Sequence, residues 1–349
     1  MQPLPVDAND LTPEWLSGAL GTDVTGVELL DHAFATNQRA RIALTYAAPG
    51  AGPASLFAKL APIDPAHREM IGATGMGERE AQFYADVAPT ANVLVPRCAY
   101  AASADDRFVL LLEDLATRGA RFASNGEWGI DADAAAGALE DLAVFHSRFE
   151  DAAERDRVAP WLTSPRRSTS EATSHLMRGV LDEKAGTLPA GYTTIGELYV
   201  EHHAWFDTIW HTGPATYVHG DTHIGNVFLD GDRVGFLDWG LSRVSTHLRD
   251  VSYFLTMSVD VEDRRKHERD LIQGYLDALR AHGGVDIPFD DAWDTHRLQA
   301  SYTVVATFLA YMPSYASSDG VKLGDALLAR ADAAVDDLEV VDAVRAALP

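Results

Sequence analysis

The stretch YVHGDTHIGNVFL, residues 217–229, sets two histidines, an aspartate and an asparagine into eight positions flanked by apolar residues. Three readings compete for it. His219, Asp221 and His223 form H-x-D-x-H, and alternate residues of an extended strand project to one face, which would begin a metal site. Two-metal hydrolysis clamps its ions with many ligands, however, and no second compact cluster follows: the other histidines stand singly on helical stretches, apart from the His202–His203 pair. A polar turn between strands is the plainest reading. The third is phosphoryl transfer, which needs a carboxylate to orient an acceptor hydroxyl, a second carboxylate and an amide oxygen for Mg²⁺, and a lysine for nucleotide phosphates.

Spacing favours the third. Asp221 and Asn226 are five residues apart, as are the catalytic-loop Asp and Asn of protein kinases. Asp238 follows in NVFLDGDRVGFLDW (226–239), beyond two apolar runs around an Asp-Gly turn, a hairpin pattern. Upstream, Lys59 lies in the strand-like SLFAKLA (55–61), and Glu80 in the helical MGEREAQFYADVAP (76–89), which Pro89 is expected to stop.

Outward from these residues the chain changes character. VTGVELLDH (24–32) and RARIALTYA (39–47) read as strands, and RCAYAASADDRFVLLLEDL (97–115) as a hairpin turning at SADD. Before them TPEWLSGALG reads as a helix with Thr12 as its cap and Gly21 as its stop. After residue 116 helices dominate. DADAAAGALEDLAVFHSRF (131–149) places Leu139, Leu142, Ala143 and Phe145 on one stripe, and TIGELYVEHHAWFDTIWHT (194–212) is similar, with Trp205 and Trp210 as core. The expected architecture is α+β in two lobes. Residues 1–115 form a β-rich, nucleotide-binding N-terminal lobe; residues 116–349 form a larger helical C-terminal lobe with the loop 217–240 and the acceptor site.

The charge balance sets 28 Lys and Arg against 52 Asp and Glu, a net −24. Such a chain repels a phosphate backbone, so nucleic acid is not expected as a partner, whereas small cations are attracted. Cys98, the single cysteine, excludes an intramolecular disulfide and reads as a packing thiol. The N-terminus MQPLPVDANDLTPEWL has neither a basic nor an apolar leader segment, and no apolar run approaches the length of a membrane span; a cytoplasmic location with no membrane partner is expected.

Together these motifs resemble the aminoglycoside phosphotransferase and choline-kinase-like superfamily, small-molecule relatives of the protein kinases. HGDTHIGN is similar to its catalytic loop H-G-D-x-H-x-x-N, FLDW to its metal-binding segment and RDVSYFL (249–255) to the stretch that follows. LLLEDL (110–115) resembles the strand leading into the interlobe hinge, and LAVFHSRF the first large C-lobe helix; the resemblance spans about residues 24–255.

It implies a two-lobed protein-kinase-like fold with ATP held beneath the β-rich lobe, GTP being compatible. Asp221 would be the base that positions the acceptor hydroxyl, and Asn226 and Asp238 would hold Mg²⁺. Lys59, braced by Glu80, would hold the α/β-phosphates, while Glu113 and Leu115, with Asp114, would contribute backbone groups near the adenine. No G-x-G-x-x-G lies between the first two strands, where Thr36, Asn37 and Gln38 are expected to cover the phosphates instead. His219 and His223 would fix the loop backbone, and Asp250 would cap a helix or touch ligand.

No A-P-E segment or activation loop follows D-W-G, which argues for a small hydroxylated acceptor over a protein. Asp260, Glu262, Asp263, Asp290 and Asp291, near Trp293, Tyr302, Phe308, Tyr311 and Tyr315, suit an ammonium-bearing one. The Lys59 head group is expected to lie exposed, so that Lys59→Ala would spare the fold. A nucleotide-binding pseudokinase and a metallophosphatase are the alternatives to an active kinase.

Overall fold

The computed structural model describes residues 3–34, 36–123, 125–163, 168–308 and 318–349. The chain divides into two compact units, Met1–Arg121 with Leu237–Ser242, and Phe122–Phe236 with Arg243–Pro349.

The first unit opens with helix α1 (Pro13–Leu20). Thr12 Oγ1 accepts the Trp15 N–H at 3.2 Å, Pro13 supplies the first turn, and Gly21 ends the helix in the left-handed region, φ 64°. An antiparallel sheet follows: β1 (Val24–Phe34), β2 (Gln38–Tyr46), β3 (Ser55–Leu60), β4 (Cys98–Ala104) and β5 (Arg107–Glu113), in the order β1-β2-β3-β5-β4. Its alternation is visible in the sequence. Ala40, Ile42 and Leu44, Leu56, Ala58 and Leu60, and Val109 and Leu111 are buried in one cluster with Trp15 and Leu16. Each Leu or Ile so buried contributes roughly 1.5–3 kcal/mol before the entropy of ordering is counted. The two-residue period of a strand therefore turns Lys59 to the opposite face.

Two helices connect β3 to β4, α2 (Pro65–Gly72) and α3 (Met76–Gln82). Beyond α3 the winding continues as a wide π turn over Phe83–Val87 and a tight turn over Ala88–Thr90. Pro89 thus does not stop the helix ahead of itself. It occupies the opening of the tight turn, where a missing N–H is tolerated.

The second unit is built on helices. Asp131 caps Ala132–Arg148 by accepting the Ala134 N–H at 2.8 Å, and Leu139, Leu142, Ala143 and Phe145 are buried as the stripe requires. Ala190–Ile209 runs through a kink at His202, φ −125°, and its Tyr192, Tyr199 and Phe206 join Trp210, Val304 and Phe308 in a core that Trp205 covers. Val261–Ala281 and Phe289–Ala300 follow. The hairpin of Val227–Asp230 with Arg233–Phe236 turns at Gly231, φ 63°. Ala215–Val218 pairs with Arg243–Thr246, so the residue before His219 is fixed in a ladder. Among the described residues no helix is long and apolar enough to cross a membrane.

Candidate active site

The loop leaves its ladder at Val218 and is fastened from below by Asp250. That carboxylate is fully buried and accepts the N–H of His219 at 2.6 Å and of Gly220 at 2.7 Å. Asp250, expected to cap a helix or meet a ligand, instead holds the loop backbone. Burial pushes its pKa up, but His146, His219 and the Gly220 N–H outweigh this and keep it ionised. His146 Nε2 lies 3.3 Å from Asp250, and its Nδ1 2.8 Å from the Tyr275 hydroxyl. Nothing in the helical stretch around His146 signals this role, since its partners lie 104 and 129 residues away.

Above this anchor the polar side chains interlock. His219 Nδ1 accepts the Asp221 N–H at 3.1 Å, and His223 Nδ1 accepts the Gly225 N–H at 3.0 Å, so both rings order the backbone as expected. Asn226 Nδ2 donates to the Asp221 carbonyl at 3.0 Å and to its Oδ2 at 2.8 Å. The Asn226 Oδ1 meets no donor among the described residues. The Asp221 side chain stays 20% exposed, enough to meet a hydroxyl. Among the described residues no group of three or more His, Cys, Asp or Glu is placed to hold a metal ion, and Nδ1 of both rings of H-x-D-x-H accepts a backbone N–H.

The first unit carries a buried cation of its own. Lys59 Nζ lies 2.6 Å from Glu80 Oε2 and 2.9 Å from Asp238 Oδ2, and the Lys59 side chain is buried. The expectation of an exposed head group is corrected here: α3 covers the sheet face to which Lys59 points. Burial alone would lower the Lys59 pKa, but Asp238 and Glu80 raise it on balance, so the ammonium is kept. Two carboxylates share that one ammonium. Burial pushes Glu80 up to about 7, against the pull of Lys59 and with a further push from Asp238.

One turn beyond Glu80, Phe83 stacks on Trp239 with centroids 3.9 Å apart and planes 5° from parallel. The same helical segment thus braces Lys59 and the residue after Asp238. Asp238 is left-handed, φ 58° and ψ 68°, a conformation that costs a non-glycine residue roughly 1 kcal/mol or more. At Gly240 a Cβ would stand 3.0 Å from the Met76 carbonyl, a contact tight enough that the backbone would have to give by a few tenths of an ångström.

The remaining expected residues are placed as follows. Glu113 donates its N–H to the Arg97 carbonyl at 2.7 Å, and its carboxylate is held by Arg97 and Arg118. The Leu115 N–H makes no hydrogen bond among the described residues. Asp114 receives a bidentate fork from Arg41, which ties β2 to this turn across 73 residues, a contact without a sequence signal. Asn37 is buried, and its Oδ1 has no partner among the described residues. Gln38 does not face a phosphate: its Nε2 donates to the carbonyls of Val6 and Ala61 at 2.8 and 2.6 Å. Cys98 is half-buried, and burial pushes its thiol up to about 11.

The acids and aromatics expected to greet a cation have other work. Asp260 caps Val261–Ala281 by accepting the N–H groups of Glu262 and Asp263, and Glu262 pairs with Arg265. Asp290 and Asp291 open Phe289–Ala300, where acids suit the helix dipole. Arg249 covers the Tyr302 ring at 3.2 Å, Arg269 covers Trp293 at 4.3 Å, and Phe308 is core. Tyr311 and Tyr315 lie outside the described residues.

None of the curated proteins matches the chain. Solved structures do. An aminoglycoside-phosphotransferase-type protein of Ralstonia eutropha superposes with a TM-score of 0.55 at 11% identity, covering 95% of this chain and 98% of that one. A choline/ethanolamine kinase family protein of Mesorhizobium loti gives 0.50 at 19% identity over 92% and 93%. Choline kinase of Cryptosporidium parvum gives 0.51 at 8% identity over 97% and 96%. At these identities the likeness establishes the fold, the two-lobed protein-kinase-like α+β architecture. A family model matches residues 34–284, from the end of β1 to beyond the helix after Asp250, and on that match the chain belongs to the ecdysteroid kinase-like family of the small-molecule kinase superfamily.

Proposed function

We propose that the chain is an ATP-dependent O-phosphotransferase that moves the γ-phosphoryl group to a hydroxyl of a small molecule. The observation that carries this reading is the Lys59–Glu80–Asp238 cluster, in which one buried ammonium serves two carboxylates. Arg39 also acts on this cluster through its charge, and a magnesium nucleotide adds more positive charge: Asp238 can turn to the cation while Lys59 turns to the α/β-phosphates. Mg²⁺, when bound, neutralises phosphate charge, and the carboxylate of Asp238 and the carboxamide oxygen of Asn226 are hard oxygen donors of the kind it prefers.

Residues 1–115 bind the nucleotide, with the Leu115 N–H and the Glu113 backbone near the base and the Asn37 carboxamide near the phosphates. Residues 116–349 bring the acceptor. Asp221 accepts the proton of its hydroxyl as that oxygen attacks the γ-phosphorus and the bond to the β–γ bridging oxygen breaks, releasing ADP. Asn226 and the anchored loop hold the Asp221 carboxylate still, so the protein contributes positioning and charge more than covalent chemistry. The −24 charge favours a positively charged acceptor over an anionic one. GTP fits the same scheme, and nucleotide use places the work in the cytoplasm.

An ADP-release assay over amino alcohols, aminoglycosides, macrolides, sugars and polyhydroxylated steroids tests the proposal. At least one acceptor is expected to raise ADP release above background in a manner that Asp221→Asn abolishes. Tight Mg-ATP binding with no turnover on any class would replace the enzyme with a nucleotide-binding pseudokinase.

A further inference from the structure

In a chain this acidic, unpaired cations stand out. The run EDRRKHERD (262–270) on Val261–Ala281 holds four Arg or Lys in nine residues. Two of them are spent inside the fold. Arg264, almost fully buried, bonds Glu268 and Asp337, and Arg265 bonds Asp337 and Glu262. The other two are not. Neither Lys266 nor Arg269 makes a hydrogen bond or ion pair among the described residues. Arg269 is pressed instead against two rings of Phe289–Ala300, 4.8 Å from the Phe289 centroid and 4.3 Å from that of Trp293.

Arg264, Arg265, Lys266 and Arg269 line an open cavity of ≈ 470 Å³, together with Trp293 and with Asp337 at the end of a third helix. Small-molecule sites run from roughly 300 to 1,000 Å³. The cavity shares no lining residue with the Asp221 loop or the Lys59 cluster. Arg264 is among its lining residues, and the buried Nε of that side chain meets no acceptor among the described residues. Of the three carboxylates in the lining, Glu268 and Asp337 pair with Arg264 and Arg265, and Asp270 makes no ion pair among the described residues.

We infer that this cavity binds a small organic phosphate, a second site independent of the phosphotransferase reaction. Aromatic stacking fixes the Arg269 guanidinium with its N–H edge unspent, so little freedom remains to be lost when an oxyanion takes the fork. Lys266 adds a point charge of the kind that suits a dianion better than a carboxylate. Trp293 holds the Arg269 guanidinium in place, and Leu338, also in the lining, offers an apolar contact to the organic part of the ligand.

The test is calorimetric titration of the full chain with phenyl phosphate, the nucleotide site being filled beforehand with Mg-ADP. Inorganic phosphate, benzoate and phenol serve as separate titrants. Phenyl phosphate is expected to bind more tightly than the other three, and the Lys266→Ala/Arg269→Ala variant to weaken it by at least about tenfold, 1.4 kcal/mol. Arg269→Lys keeps the charge and loses the fork, so it should fall between. Both substituted side chains are solvent-exposed, and an unchanged melting temperature without ligand verifies the fold of each variant. Asp221→Asn should leave the titration unaltered, which separates this site from catalysis. Equal affinity in the double variant, no binding to the wild type at millimolar concentration, or benzoate binding as tightly as phenyl phosphate would overturn the assignment.

Discussion

The carboxylate of Asp250 accepts the backbone N–H of Gly220 at 2.7 Å, across thirty residues of chain. With the His219 N–H on its second oxygen, it sets the loop from a neighbouring helix and leaves the loop's own side chains for other tasks. Asp250→Asn keeps the size but turns an amide toward donors. A loss on the order of 3 kcal/mol in urea-unfolding free energy is expected, with turnover per folded molecule falling as well. Unchanged stability would show that the two contacts are incidental.

Asp221→Asn probes the opposite end of the same loop. The amide preserves shape but cannot take a proton, so single-turnover transfer should drop by roughly 10²–10⁴-fold, while Mg-ATP affinity holds. A rate near that of the wild type would remove Asp221 from the mechanism.

Lys59→Ala now carries a structural expectation that the sequence did not suggest. Removing the ammonium leaves Glu80 and Asp238 facing each other, and breaking a buried pair in this way costs about 3–5 kcal/mol. Lys59→Met combined with Glu80→Gln should recover much of that stability without recovering nucleotide affinity. Melting curves and nucleotide titrations on both variants separate the two roles.

Asp238→Ala should weaken ATP binding in the presence of Mg²⁺ far more than in its absence, since the carboxylate acts through the cation. Parallel titrations with and without the metal read this directly; an equal loss in both would make Asp238 purely structural.

Acidity provides a further handle. Glu80 moves from 4.5 to about 7 on folding, so the folded state holds its proton more tightly than the unfolded chain does. Its stabilising contribution is complete below pH 4.5 and is lost as pH rises toward 7, at a limit of roughly 1.4 kcal/mol per pH unit. Burial holds His247 down at about 3, which adds a slope of opposite sign below pH 6.5, so the Glu80 slope is read from pH 4.5 to 7.5 as the difference in unfolding free energy between the nucleotide-free wild type and Glu80→Gln.

Much of this was legible where a rule of spacing applies. The Asp221–Asn226 interval, the Asp-Gly hairpin, the alternation around Lys59 and the cap Thr12 are each fixed within a few residues, and local chemistry determines them. What escaped is tertiary. The burial of Lys59 depends on α3 crossing its sheet face, and Gln38 finds carbonyls at Val6 and Ala61 that only the folded strand brings near. The acids and aromatics past residue 260 looked like a cation site because composition does not reveal that Arg249 and Arg269 already cover two of those rings.

The membership of Leu237–Ser242 in the first unit bears on how the molecule is made. A ribosome releases Met1–Arg121 well over a hundred residues before it reaches Asp238 and Trp239. Until then Lys59 lacks one carboxylate and the Phe83 ring lacks the indole of Trp239, so the nascent sheet waits half-dressed for a strip of chain not yet synthesised. A fragment ending at Arg121 should accordingly fold poorly alone, and adding a peptide that spans 237–242 in trans should be the cheapest way to rescue it.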